Sequence, residues 1–175
     1  MIPIFEPYLS SKEKNLLLEA IDTGWISSQG KFITEFENQF AKRFKRKFAI
    51  ATSNCTTALH LSLLALDIKE GDEVICPNLT FIAPANMIVE TGAKLVLVDV
   101  EKVSRNIDPE LIKQSINSKT KAIMVVHAFG VPAKMDIILD IAKKHNLYII
   151  EDNAESPGSF FNKKMCGTFG DVACY

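Results

Sequence analysis

The 175-residue sequence carries almost no net charge, formally −1. That removes the broad basic footprint of a nucleic-acid binder. No apolar run approaches the roughly 20 residues of a membrane helix. The start, Met1-Ile2-Pro3-Ile4-Phe5-Glu6-Pro7, lacks the basic region of a signal peptide. The four cysteines, Cys55, Cys76, Cys166 and Cys174, show no CxxC spacing. Their scatter argues against a zinc site or a disulfide framework and for a reducing cytoplasm. No metal site is expected. The sequon Asn78-Leu79-Thr80 then has no meaning as a glycosylation signal. Internal repeats, low-complexity segments and the glycine pattern of a nucleotide-binding loop are all missing. There is one tryptophan, Trp25, in the polar loop Gly24-Trp25-Ile26-Ser27-Ser28-Gln29-Gly30. Such a residue either anchors the loop on the core or offers a contact platform to a ligand.

What is present reads as alternating elements. Residues 1–8 hold two prolines and look extended. Ser10-Ser11-Lys12-Glu13 has capping-box spacing and opens a helix. Leu16, Leu17, Ala20 and Ile21 give that helix one apolar face, and Gly24 ends it. Ile33, Phe36, Phe40 and Phe44 recur at helical spacing over 31–44 and read as core. Strands are expected at 48–51, 73–76, 94–98, 122–126 and 147–150. Between them lie helices opening at 53–57, spanning about 82–90, capped by Asp108-Pro109, and spanning 135–144 with Ile137, Ile138 and Ile141 inward. Asn162-Lys163 reads as a hairpin tip, and 171–175 as a strand just begun. Strands separated by helices of this length predict an α/β fold, a parallel doubly wound sheet with helices on both faces.

Candidate chemistry lies at strand ends, where open α/β sheets bind ligands. Leu147-Tyr148-Ile149-Ile150 runs into Glu151-Asp152-Asn153-Ala154-Glu155. A carboxylate there needs a partner, because an unpaired buried charge is costly. Ser53-Asn54-Cys55-Thr56-Thr57 opens a helix, whose free N–H groups and hydroxyls suit a phosphate monoester. Phe81 could stack on a flat ring, and His127 could hydrogen-bond near Asp152. Singly, each has a commoner structural reading: a cap, a helix start, a core ring, a structural histidine. Together they supply a phosphate cup, a stacking ring and an acid. Those are the requirements of pyridoxal 5'-phosphate, whose ring nitrogen must stay protonated for the ring to draw electrons.

The sequence resembles the DegT/StrS family of nucleotide-sugar aminotransferases, of the fold-type-I pyridoxal-phosphate class. The resemblance runs from Ile2 to Tyr175. It rests on Gly24-Trp25-Ile26-Ser27-Ser28, Ser53-Asn54-Cys55-Thr56-Thr57-Ala58-Leu59-His60, Gly71-Asp72-Glu73-Val74-Ile75, Thr80-Phe81, Asn106-Ile107-Asp108-Pro109 and Val126-His127. It continues through Pro132-Ala133-Lys134-Met135-Asp136, Glu151-Asp152-Asn153-Ala154-Glu155 and Gly167-Thr168-Phe169-Gly170-Asp171. Within the family it is most similar to the branch that aminates a GDP-linked 4-keto-6-deoxymannose.

The resemblance implies that Thr56 and Thr57 bind the cofactor phosphate, Phe81 stacks on its ring, Asp152 pairs with the ring nitrogen and Glu155 contacts the ring hydroxyl. It implies that Trp25, Ile26 and Ser27 lie near the sugar-nucleotide site and that His127 supports the Asp152 region. Residues 1–30 are then an N-terminal arm, a helix and the loop after it, and residues 31–175 are part of the large cofactor-binding domain. The implied reaction moves an amino group from an amino acid, expected to be glutamate, to a 4-keto-6-deoxy sugar nucleotide for surface polysaccharide. The implied assembly of the full-length protein is a homodimer. The family's Schiff-base lysine follows the position of Tyr175, with a small C-terminal domain after it. No catalytic residue is therefore assigned among the 175, and alone they are expected to be inactive. A related dehydratase, with His in place of that lysine, and a non-catalytic fragment of a split gene are the alternatives. Cys55 stands where the family usually has Gly, and is expected to weaken cofactor binding by crowding the phosphate.

Overall fold

In the computed structural model, which describes residues 6–175, the short apolar runs of the second half become one parallel sheet. The extended reading of residues 1–8 lies outside the described residues for its first five positions. The chain divides into two units, the first ending at Ala51 and the second running Thr52–Tyr175. The boundary expected after residue 30 falls inside the first.

In the first unit, α1 spans Ser11–Asp22 and α2 spans Lys31–Arg43. Ser10 caps α1: its hydroxyl accepts the Lys12 N–H at 3.1 Å, and the Glu13 carboxylate accepts the Ser10 N–H at 2.7 Å. The apolar stripe of α1 forms but is not buried, since Leu16, Leu17 and Ile21 are exposed. The Phe36, Phe40 and Phe44 rings stack along α2, with centroids 5.3 Å and 4.5 Å apart. Only Phe44 is buried, and Phe36 is exposed, so the stripe is not the core expected of it. Residues 48–51 have no regular secondary structure and are not a strand. A strand exists through its ladder, and none of the described strands pairs with them. Phe48 and Ile50 are exposed, and the Ala51 N–H donates to the Glu37 carboxylate at 2.8 Å instead.

In the second unit the strands are β1 (Glu73–Pro77), β2 (Lys94–Val98), β3 (Thr120–Val126), β4 (Tyr148–Asp152), β5 (Phe160–Phe161), β6 (Lys164–Met165) and β7 (Val172–Cys174). The helices are α3 (Cys55–Ala65), α4 (Ile82–Glu90), α5 (Pro109–Ser115) and α6 (Met135–His145). The sheet runs β2-β1-β3-β4-β7, with every pairing parallel. Strand side chains alternate between faces, and two cores result. Val74, Cys76, Met124 and Ile150 pack with Leu59, Leu63 and Ile88 of α3 and α4. Ile75, Ile123, Val125 and Ile149 pack with Ile112, Met135, Ile138 and Ile141 of α5 and α6. Both faces of the sheet are covered, which is why its strands read as unbroken apolar runs.

Ile138, Ile141 and Ala142 make the buried stripe of α6. Ile137, expected inward, lies one residue off that stripe and is 37% exposed. β5 and β6 form the hairpin, with Asn162 at φ 47° and Lys163 at φ 66°. Two left-handed residues in succession match the twist that a two-residue hairpin needs. No helix among the described residues is long and apolar enough to cross a membrane.

Candidate functional site

β4 ends on two adjacent carboxylates that point to opposite faces. Asp152 follows Ile150 toward α3 and α4, while Glu151 follows Ile149 toward α5 and α6. Asp152 is the last residue of the strand, one position earlier in the fold than a loop residue would be.

Asp152 is 6% exposed. Its Oδ1 accepts the Ala154 N–H at 3.0 Å and the Cys55 thiol at 3.6 Å. Its Oδ2 has no hydrogen-bond partner among the described residues, and it is not sealed from solvent. Burial raises the Asp152 carboxyl above its ordinary 3.8; the Ala154 and Cys55 hydrogen bonds oppose that without cancelling it. The result is a desolvated acid with one oxygen anchored and one presented. A cationic N–H is the partner such an oxygen favours.

The Cys55 contact joins residues 97 apart and sets the first turn of α3 beside Asp152. Asn54 caps that helix: its side chain accepts the Thr57 N–H at 3.0 Å, and its carbonyl accepts the Thr57 hydroxyl at 2.8 Å. The N–H groups of Cys55 and Thr56 stand at the helix start, where an α-helix has no internal acceptor. Thr57 is exposed and Thr56 half-buried. A phosphate at this turn would meet free N–H groups and hydroxyl donors.

Phe81 occupies the N-cap position of α4 and is 76% exposed. It is therefore not a core ring. Glu155 is exposed, and its carboxylate accepts the N–H of Phe129, a residue held at φ 55°. Trp25, Ile26 and Ser27 belong to the first unit. Trp25 is half-exposed and lies against Gly30, where an added Cβ would stand 3.2 Å from the Trp25 ring.

His127 faces away from Asp152. Only its backbone N–H reaches that residue, donating to the Asp152 carbonyl at 3.2 Å. Its ring is fully buried: Nδ1 accepts the Ala133 N–H at 3.1 Å, and Nε2 lies 3.2 Å from Glu151 Oε2. The first bond places the ring hydrogen on Nε2, so His127 donates to Glu151. The expected hydrogen bond near the Asp152 carboxylate is absent because Val125 and His127 share a face with Glu151.

Glu151 is the residue that the sequence did not reveal. Fully buried, it accepts from Phe169 N–H at 2.8 Å and Gly170 N–H at 2.6 Å on Oε1, and from Gly167 N–H at 2.7 Å on Oε2. Burial opposes its ionisation, but the His127 bond and the backbone N–H bonds together outweigh that and hold it below the usual 4.5. Asn106 does parallel work on the loop after β3, accepting the Ala128 N–H and donating to the Val131 carbonyl. The one sequence signal for the Glu151 cup was the pair Gly167 and Gly170. A Cβ at Gly170 would lie 2.6 Å from the Ile149 carbonyl oxygen. Gly170→Ala is therefore expected to cost about 1–3 kcal/mol of stability, as overpacking does. Denaturant unfolding would measure it, and an unchanged midpoint would contradict the close approach.

Comparisons with known proteins agree with this architecture. Residues 7–175 match the DegT/DnrJ/EryC1/StrS aminotransferase family. A GDP-perosamine synthase of Escherichia coli O157:H7 is 48% identical over 174 residues, 99% of this chain and 48% of that protein. The aminotransferase of Psychrobacter cryohalolentis superposes with a TM-score of 0.90 at 38% identity, covering 95% of this chain and 42% of that one. The E. coli GDP-4-keto-6-deoxy-D-mannose-3-dehydratase with bound hydrated PLP superposes with a TM-score of 0.90 at 32% identity, covering 96% of this chain and 44% of that one. The chain spans about half the length of the curated relatives it matches.

Proposed function

Since the chain belongs to the DegT/DnrJ/EryC1/StrS aminotransferase family, we propose that the protein carrying it is a pyridoxal-phosphate-dependent aminotransferase of the perosamine-synthase type. It moves an amino group from glutamate to a 4-keto-6-deoxy sugar nucleotide. That reaction serves surface-polysaccharide (lipopolysaccharide O-antigen) biosynthesis, and the enzyme works in the cytoplasm as a homodimer. The observation that carries this reading is Asp152, with Oδ1 anchored by Ala154 and Cys55 and Oδ2 presented without a partner among the described residues.

Bound here, the cofactor supplies an electron sink. Asp152 Oδ2 accepts the ring N–H and keeps that proton in place. The α3 start, with Thr56 and Thr57, binds the phosphate through N–H and hydroxyl donors. The exposed Phe81 ring covers one face of the cofactor ring and excludes water. Glu155 would contact the ring hydroxyl. Trp25, Ile26 and Ser27 contact the sugar nucleotide, and His127, through Glu151, steadies the end of β4.

The test is to supply the full-length protein with pyridoxal phosphate, glutamate and GDP-4-keto-6-deoxymannose. An amino-sugar nucleotide formed in step with 2-oxoglutarate is the expected result. A deoxy sugar product without nitrogen would replace this reading with a dehydratase, a reaction class that also occurs among the structural neighbours. Failure to bind pyridoxal phosphate would overturn the reading altogether.

A further inference from the structure

We infer that Cys55 is a positioning residue for Asp152: its thiol anchors Oδ1 toward α3 and thereby aims Oδ2 at the ligand. The inference rests on the cofactor reading of the site. Three cysteines surround the Asp152 carboxyl on this face: Cys55 from α3, Cys76 from β1 and Cys174 from β7. All are free, and only Cys55 hydrogen-bonds to the carboxylate. The other titratable neighbours are Glu155, which disfavours the ionised acid, and His127, which favours it.

Burial and the Asp152 charge push the Cys55 thiol far above its ordinary range. It therefore stays protonated and remains a donor wherever the carboxylate is ionised. A thiol donor at 3.6 Å is weak. Its worth here is direction. Ala154 holds Oδ1 from the loop side and Cys55 from the helix side, and two donors on one oxygen fix the carboxylate plane. A glycine at position 55 would leave Oδ1 with the Ala154 N–H alone. The side chain that the resemblance cast as an obstacle to the phosphate thus takes up an oxygen of the acid.

The test compares Cys55→Ala and Cys55→Ser with the parent chain, without ligand and with pyridoxal phosphate. Carbon-13 titration of the Asp152 carboxyl in the ligand-free chain is the first readout. Removing the donor in Cys55→Ala is expected to raise the Asp152 midpoint, and Cys55→Ser, which restores a donor, to return it. Affinity for pyridoxal phosphate, followed by fluorescence, is expected to fall about fivefold in Cys55→Ala, the effect of one modest hydrogen bond. In an Asp152→Asn background the same substitution should change affinity much less, as coupling between the two residues demands. An unmoved Asp152 midpoint, or a Cys55→Ser that behaves like Cys55→Ala, would overturn the inference. If the midpoint moves as expected while the parent fails to bind pyridoxal phosphate, the positioning stands and the cofactor reading falls.

Discussion

Asp152→Asn is expected to give a protein that is more stable at neutral pH and at least about a hundredfold slower in transamination, the scale of losing one preorganised charged group. The two effects share a cause. Burial lifts the Asp152 pKa above 3.8 in the folded chain. The folded state therefore holds this proton more tightly than the unfolded chain does. Stability from the group is full below about pH 3.8 and is lost as pH rises through the folded value. Asparagine never ionises and escapes that loss, while its carbonyl can still accept from Ala154 and Cys55. The gain should be on the order of 1 kcal/mol near neutrality and absent in acid. Denaturant unfolding at both pH values, beside turnover of the full-length protein, reads it out. A fully active variant would remove Asp152 from the chemistry. A variant less stable at neutral pH would show that the fold stabilises the ionised form.

Glu151→Ala is expected to work in the opposite sense, with a loss of several kcal/mol, since each buried donor left unsatisfied costs roughly 1–3 kcal/mol. The N–H groups of Gly167, Phe169 and Gly170 and the His127 ring all donate to this carboxylate. Alanine would strand those donors away from water. Glu151→Gln should lose much of the same stability, because its NH₂ would face groups that also donate. The folded pKa lies below 4.5. The Glu151 contribution is thus fully present above about pH 4.5 and is lost as pH falls through the folded value. The gap between parent and Glu151→Ala should narrow in acid. A gap independent of pH would mean that the glutamate acts through packing and not through its charge.

Much of the fold is legible because local signals and burial agree. β2 and α4 fall where the apolar runs and turn residues put them, and Asn162-Lys163 turns the hairpin. Residues 48–51 have strand composition, but composition does not supply a ladder partner. Phe36 has core spacing, but spacing does not say what covers a helix. In the site, Asp152 and the α3 start stand out as strand-end and helix-end chemistry. The partner of His127 does not, although counting alternate residues from Val125 and Ile149 would have put His127 with Glu151. The Glu151 cup and the Cys55 contact depend on residues 16 to 19 and 97 positions apart. No local pattern encodes such distances.

The pairing of β3 with β4 sets Val125 opposite Glu151 and Val126 opposite Asp152. A shift of one residue in β4 would send every side chain to the other face. In an ordinary buried strand that error is weakly marked, since Ile149 and Ile150 are nearly interchangeable to an apolar core. Here it would carry Glu151 to the thiol face and bring Asp152, one methylene shorter, to the glycine cup. The wrong alignment would leave the cup's donors out of reach and a longer acid crowding α3. The two carboxylates therefore act as a lock and key for strand alignment, telling apart two arrangements that the aliphatic residues alone would barely distinguish.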